Sequence, residues 1–240
     1  MRVRIRTLLF VALFGVAVLA LSDLLRTPAP APPVPPGPER FHQVEYEALQ
    51  DASIALLAIA SLGPTTPGLD SFSMQAAQAA RGFLVRRPRG FRDDCSGFVS
   101  AVFSQVGVPM DGVVATIWDA AVDNDALHWE ETPRIGDLIF FDNTWDRDGN
   151  GRWDDLLTHI AVVIDIEPDS TVVFAHSGTR AGRTVGRMNL YEPHLHRDPD
   201  GTVRNVYLRE PKPWDPDAAA YLAGELWVAF ASVHLDEDWL

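Results

Sequence analysis

The order of secondary structure along the sequence predicts an α+β fold, with helices first and strands later. Apolar residues recur at helical spacing in three early segments, Glu45–Leu62, Ser71–Phe83 and Cys95–Val108. After residue 134 the pattern changes to short β-rich runs, at Asp137–Asp142, Thr158–Ile166, Thr171–His176, Val203–Arg209 and Leu226–Val233. We therefore expect an antiparallel sheet of about five strands, packed against the helix that begins at Cys95.

Each predicted element has a sequence signal for its end. The first helix stops at Gly63-Pro64, the second is rich in alanine, and the third has Gly107 at its C-terminus. Turn residues separate the strands, including Glu167–Ser170 and the Asp-Pro-Asp-Gly sequence of Asp198–Gly201. These boundaries place Cys95 at the start of a helix and two histidines at strand ends.

The N-terminus has the pattern of an export signal. A basic start, Met1–Arg6, precedes 14 apolar residues, Leu8–Leu21. A helix of that length covers only about 21 Å of a bilayer core of about 30 Å. Residues 1–26 are therefore a signal peptide or, as the second choice, a short membrane anchor. Both send the following residues across the membrane, to a periplasmic or extracellular location.

The residues after the export signal form a linker and a folded domain. Residues 27–40 are rich in proline and predict an extended spacer. We expect the domain at residues 41–240. The chain has 20 Lys and Arg against 33 Asp and Glu, for a net charge of −13, which excludes nucleic-acid binding through a basic surface. Contact with a membrane is expected only through the N-terminal segment.

Cys95 is the only cysteine, so no intramolecular disulfide can form. It follows Asp94 at a helix start, where free backbone N–H groups and the helix dipole favour the thiolate. We expect a nucleophile here, although a buried structural cysteine is the alternative. The neighbouring Gly97 adds no side chain, so that a substrate can approach closely.

A thiol nucleophile needs a base and a group that orients the base. His159 opens one apolar strand and His176 closes the next. An antiparallel pair joined by Glu167–Ser170 would bring both imidazoles to the same sheet edge. His159 would then take the thiol proton and His176 would fix its ring and tautomer.

Four motifs resemble those of the NlpC family of cell-wall cysteine peptidases, which have a papain-like core. They are Asp94-Cys95-Ser96-Gly97-Phe98, the strand Arg134–Phe141, the strand that starts at His159, and Phe174-Ala175-His176. The resemblance implies Cys95 as nucleophile, His159 as general base and His176 as orienter. It also implies cleavage of peptide bonds in peptidoglycan stems, with no cofactor for catalysis.

The sequence departs from this family just before the cysteine. The tyrosine and the Trp-Gly-Gly-like stretch that usually shape the substrate groove are replaced by a basic segment with Arg86, Arg87, Arg89 and Arg92. Arg92, together with Asp94, Ser96 and Gly97, is a candidate for substrate binding, and the patch either grips a carboxylate-rich stem peptide or balances nearby acids. The substrate could therefore be another envelope amide or an acyl ester.

An insertion at residues 143–157 separates two predicted strands and resembles a calcium loop. Oxygen ligands would come from the side chains of Asp146, Asp148, Asn150 and Asp154 and from the carbonyl of Arg152. The glutamate expected at the twelfth position is Leu157, for which Asp155 could substitute. An acidic hairpin without an ion is the alternative. A bound calcium ion would brace the strand that carries His159.

These observations predict an exported thiol hydrolase. Its alternative from another class is a calcium-stabilised envelope binding module with an idle triad. Several tryptophans, including Trp129, Trp145 and Trp153, lie near the predicted groove in sequence. They could form aromatic walls for a glycan or peptide, although core packing is their more frequent use.

Overall fold

The computed structural model describes residues 71–179, 182–216, 218–235 and 239. They belong to one compact unit, Pro36–Leu240. The predicted signal or anchor, the linker and the helix Glu45–Leu62 lie outside the described residues. No described helix has the length and hydropathy needed to cross a membrane.

The predicted α+β fold is confirmed. Its helices are α1 Ser71–Val85, α2 Cys95–Gln105, α3 Val114–Asp123 and α4 Ala223–Leu226. Its strands are β1 Leu127–His128, β2 Leu138–Phe141, β3 His159–Ile166, β4 Val172–Thr179, β5 Gly182–Met188 and β6 Trp227–Ala231. Within the described residues they form one antiparallel sheet in the order β1-β6-β2-β3-β4-β5.

Alternating residues of the central strands build two cores, one on each face of the sheet. Phe140, Ile160 and Val162 belong to the core that includes α1, α2 and α3. Their neighbours Phe141 and Ala161 belong to the core on the other side. The helix that starts at Cys95 is thus packed against the sheet, as the papain-like arrangement implies.

One predicted strand is wrong. The segment Val203–Arg209 forms only isolated bridges, from Val203 to Arg197 and from Tyr207 to Leu222. Its apolar side chains, such as Val206, belong to the core that contains Phe141 and Ala161, while its backbone forms hydrogen bonds to neighbouring loops. Residues 203–208 therefore cover the sheet instead of extending it.

The sequence pattern does not predict four of the observed elements, α3, α4, β1 and β5. Helix α3 has Val113 at its N-cap, which makes no side-chain capping bond. Strand β5 is rich in glycine and arginine, which are not typical of strands. Gly186 in β5 is nevertheless required there, because a Cβ atom would lie 2.2 Å from Cζ of Phe174.

Candidate active site

Cys95 is the first residue of α2, as the sequence predicts, and it is half-buried. Asp94 caps the helix: its Oδ1 accepts hydrogen bonds from the Gly97 N–H at 2.7 Å and from the Ser96 hydroxyl at 3.1 Å. The backbone N–H of Ile160, which follows His159 in β3, acts on the thiol and lowers its pKa. The cap and the strand together fix the position of the sulfur.

The two strand-end histidines meet. Nε2 of His159 lies 2.9 Å from Nδ1 of His176, and the rings are nearly perpendicular. Both side chains are buried, and Phe141 and Phe174 lie against their rings. Because Nε2 of His159 contacts His176, Nδ1 of His159 is the ring nitrogen that remains available to the Cys95 thiol.

Cys95 and His159 line one groove of about 850 Å³. Gly178 lines it too, with φ at +103°, and a Cβ atom at this position would lie 3.3 Å from the backbone nitrogen of Cys95. The register of the β4–β5 pair shifts between His176 and Thr179. This irregularity brings the end of β4 close to the start of α2 without obstructing it.

Burial favours the neutral forms of Cys95, His159 and His176. Loss of solvation raises the pKa of the Cys95 thiol to about 11, with the charge of Asp94 adding to the rise and the N–H of Ile160 opposing it. Burial lowers the pKa of His159 to about 4. It also lowers the pKa of His176 well below its ordinary value, and the neighbouring His159 adds to that effect. The thiolate expected from the helix terminus is therefore not the resting form.

The expected role of Gly97 needs correction. Gly97 is buried, and a Cβ atom would lie 2.2 Å from the carbonyl oxygen of Arg92. The lack of a side chain at Gly97 therefore allows α2 to pack closely against the backbone of Arg92. Arg92 donates to the Ser96 hydroxyl at 2.8 Å and to the carbonyl of Gly112, and its Nε lies 3.3 Å from Asp94. Asp94 and Ser96 line the groove, whereas Arg92 and Gly97 line a smaller neighbouring cavity.

The rest of the basic segment is partly balanced by acids and aromatic rings. Arg87 pairs with Asp93 at 3.0 Å, and the Arg86 guanidinium lies over the ring of Phe83. Arg86, Arg87 and Arg89 line an open cavity that does not include Cys95 among its lining residues.

The insertion brings together a different acidic set from the predicted one. Oxygens of Asp146, Asp148 and Asp155 lie within 4.8 Å of one another. Asp154 is outside this group and accepts from the amide of Asn150, at 3.2 Å. The oxygen of Asn150 instead accepts from the Arg152 N–H, at 2.6 Å. Asp155, the predicted substitute for the missing twelfth-position glutamate, thus joins this group, whereas Asp154, the ligand predicted at the ninth position, does not.

Sequence reasoning named Trp145 as a possible aromatic wall of the groove but missed the second wall. The wall beside His159 includes Trp145, whose Nε1 donates to the carbonyl of Thr158 at 3.4 Å. A second wall comes from the segment Leu208–Trp214, which the sequence predicts in part as a strand. No local motif indicated that this distant segment would return to Cys95.

A helix-borne thiol and a paired imidazole on an antiparallel sheet are the arrangement expected of a thiol hydrolase with a papain-like core. The family model of the CHAP domain matches residues 86–178, a span that includes Cys95, His159 and His176. This part of the chain, less than half of its length, is therefore similar to the CHAP domain.

The other comparisons are more distant. The crystal structure of a protein similar to a lipoprotein of the NLP/P60 family, from Staphylococcus aureus, is 20% identical with a TM-score of 0.31. The alignment covers 60% of this chain and 55% of that chain, so the present chain spans about half the length of the solved structure. No curated protein matches the chain.

Proposed function

We propose that the chain is an exported thiol hydrolase that cleaves amide bonds in peptidoglycan stem peptides. The observation that carries this proposal is the buried contact of 2.9 Å between His159 and His176, in the groove that Cys95 and His159 share. The CHAP-domain match supports the peptidoglycan substrate. The basic and apolar N-terminus supports export, by a cleaved signal or a short anchor.

His159 acts as the general base through Nδ1. For that role the resting proton of His159 is on Nε2, which donates to Nδ1 of His176, and His176 carries its own proton on Nε2. His176 thereby fixes the tautomer of His159 and stabilises its imidazolium form. The thiol proton moves to Nδ1 as the sulfur attacks the carbonyl carbon, so that no free thiolate accumulates before the substrate arrives.

The start of α2 stabilises the tetrahedral intermediate. The backbone N–H groups of Cys95 and Ser96 lie beside the sulfur, where a carbonyl oxygen becomes negative during attack. The intermediate collapses to a thioester on Cys95 as the C–N bond breaks, and His159 gives its proton to the leaving amine. A water molecule, deprotonated by His159, then hydrolyses the thioester and restores the thiol.

Digestion of purified sacculi and of soluble stem peptides tests the proposal. The full chain should release peptide fragments, identified by mass spectrometry, whereas the Cys95→Ala and His159→Ala variants should release none. His194→Ala is the matched control, because His194 lies on the surface beside Glu225 and outside the groove. Cleavage of other amides or of acyl esters alone would move the activity to another substrate. Full activity of Cys95→Ala would overturn the mechanism.

We also propose that the insertion binds a structural calcium ion. Oδ1 of Asp146 is buried without a hydrogen-bond partner among the described residues, and it belongs to the group with Asp148 and Asp155. Oxygen-only ligands of this kind suit calcium. The ion would offset two of the three carboxylate charges and hold the loop that leads into β3.

Thermal unfolding tests the calcium proposal. Calcium at about a hundredfold excess over its Kd should raise the Tm of the full chain by about 5–10 °C. Asp155→Asn should remove most of this increment, whereas Asp154→Asn, next to it in sequence but outside the group, should retain it. A calcium-insensitive Tm would contradict the proposal, and loss of the increment in Asp154→Asn alone would restore the ligand set predicted from the sequence.

A further inference from the structure

One wall of the catalytic groove lies outside the span that matches the CHAP domain. Arg209 holds this wall in place: its guanidinium donates to the carbonyl of Asn143 and to Asp215, both at 2.9 Å. The same guanidinium lies 3.8 Å from the ring centroid of Trp153. Arg209 and Asp215 are both almost fully buried, so the segment is attached to the insertion by a rigid, desolvated ion pair.

Two exposed indoles line the groove, one on each of its outer segments. Trp145 is 52% exposed and Trp214 is 61% exposed. The Nε1 of Trp145 is bound to the carbonyl of Thr158, directly before His159. Trp214 precedes the fixed Asp215 and lies against Gly151. Neither ring is buried in a core, so both have apolar surface available to a ligand next to the catalytic pair.

The surroundings of these indoles select the kind of ligand. Asp146 and Arg147 follow Trp145, whereas Glu210 and Lys212 precede Trp214, and all four line the same groove. An acyl chain laid along this groove would desolvate these charges without offering them hydrogen bonds, which is unfavourable. A sugar ring has one apolar face for an indole and a rim of hydroxyl groups for charged side chains.

We propose that Trp145 and Trp214 form a sugar subsite, which makes the enzyme specific for stem peptides that are still linked to their glycan. This inference rests on the proposed function, since it places the sugar next to the amide that Cys95 attacks. The groove of about 850 Å³ has room for a saccharide beside a short peptide. Trp214 lies beyond the residues that the family model matches, so the match itself does not imply this preference.

Binding to the inactive Cys95→Ala variant of the full chain tests the subsite without requiring catalysis. The probes are a stem peptide linked to its disaccharide and the same peptide without sugar, titrated by calorimetry. We expect the linked probe to bind at least about tenfold more tightly, from the stacking of two aromatic rings. Adding Trp145→Ala or Trp214→Ala should remove most of this advantage, lowering the affinity for the linked probe far more than the affinity for the bare peptide.

Trp129→Ala provides the matched control, because Trp129 is an indole of similar exposure, 60%, that does not line the groove. It should leave the sugar advantage intact. Equal affinity for the two probes, or equal loss in the Trp129→Ala control, would overturn the subsite. Cleavage of both substrates without a sugar preference would also reject it while leaving the proposed function in place. Tight sugar-dependent binding without cleavage by the wild type would support the subsite and reject the proposed function.

Discussion

The buried histidine pair should make the protein unstable in mild acid. An unfolded histidine takes up a proton below about pH 6.5. Burial lowers the pKa of folded His159 to about 4, so between these values the unfolded state binds more protons than the folded state. The free energy of unfolding must therefore fall as the pH falls through this interval. His176 contributes in the same direction, because burial also lowers its pKa.

The size of the effect follows from the pKa of His159. Proton uptake by the unfolded state should cost the fold about 2 kcal/mol between pH 7.5 and pH 5 through His159 alone. Urea unfolding of the full chain at the two pH values measures this loss. His159→Gln should reduce the loss by about 2 kcal/mol, whereas His194→Gln, at an exposed surface position, should not reduce it. If His159→Gln loses as much free energy of unfolding between the two pH values as the wild type does, the idea that His159 is a neutral buried base is refuted.

Four further predictions address the thiol and three glycines. Because the pKa of the Cys95 thiol is raised to about 11, iodoacetamide should alkylate it slowly at pH 6 and faster as the pH rises toward 10; rapid labelling at pH 6 would indicate a preformed thiolate. Gly97→Ala should lower the free energy of unfolding by about 1–3 kcal/mol, because the new methyl group meets the Arg92 carbonyl. Gly82→Ala, where no atom lies near the added methyl group, should instead be stabilising in the denaturation assay, by about 0.5–1 kcal/mol. Gly178→Ala should abolish peptide release in the sacculus assay. Alanine would be strained at a φ of +103°, and its Cβ atom would press on the Cys95 nitrogen and displace the nucleophile. Full activity of this variant would contradict the role of Gly178.

Local sequence signals predicted the centre of this site well. A cysteine at a helix start and histidines at the two ends of a turn-linked strand pair are positions that antiparallel pairing brings together. The register that the turn sets pairs Ile166 with Val172, and a shift between Val163 and Asp165 then pairs Val162 with Ala175. The contact between His159 and His176 therefore depends on this irregularity as well as on turn length, because a shift of one residue turns a side chain to the other face of the sheet.

Other features of the site depend on tertiary contacts that the sequence pattern does not show. The raised pKa of the Cys95 thiol depends on how much protein surrounds it, which a helix-start position does not reveal. The reason for Gly97 depends on the approach of the Arg92 backbone from its own loop. Likewise, Trp214 reaches the groove through the buried Arg209–Asp215 pair, a long-range contact without a sequence motif.

Capture of the covalent intermediate tests the central claim most directly. The full chain would be mixed with soluble stem peptides, quenched in acid within the first turnover, and its intact mass and peptide map measured. The mechanism predicts an added mass equal to the acyl part of the substrate, located on Cys95 and removed by hydroxylamine as expected of a thioester. Fragment release with no adduct on Cys95, together with retained activity in Cys95→Ala, would contradict the thiol mechanism.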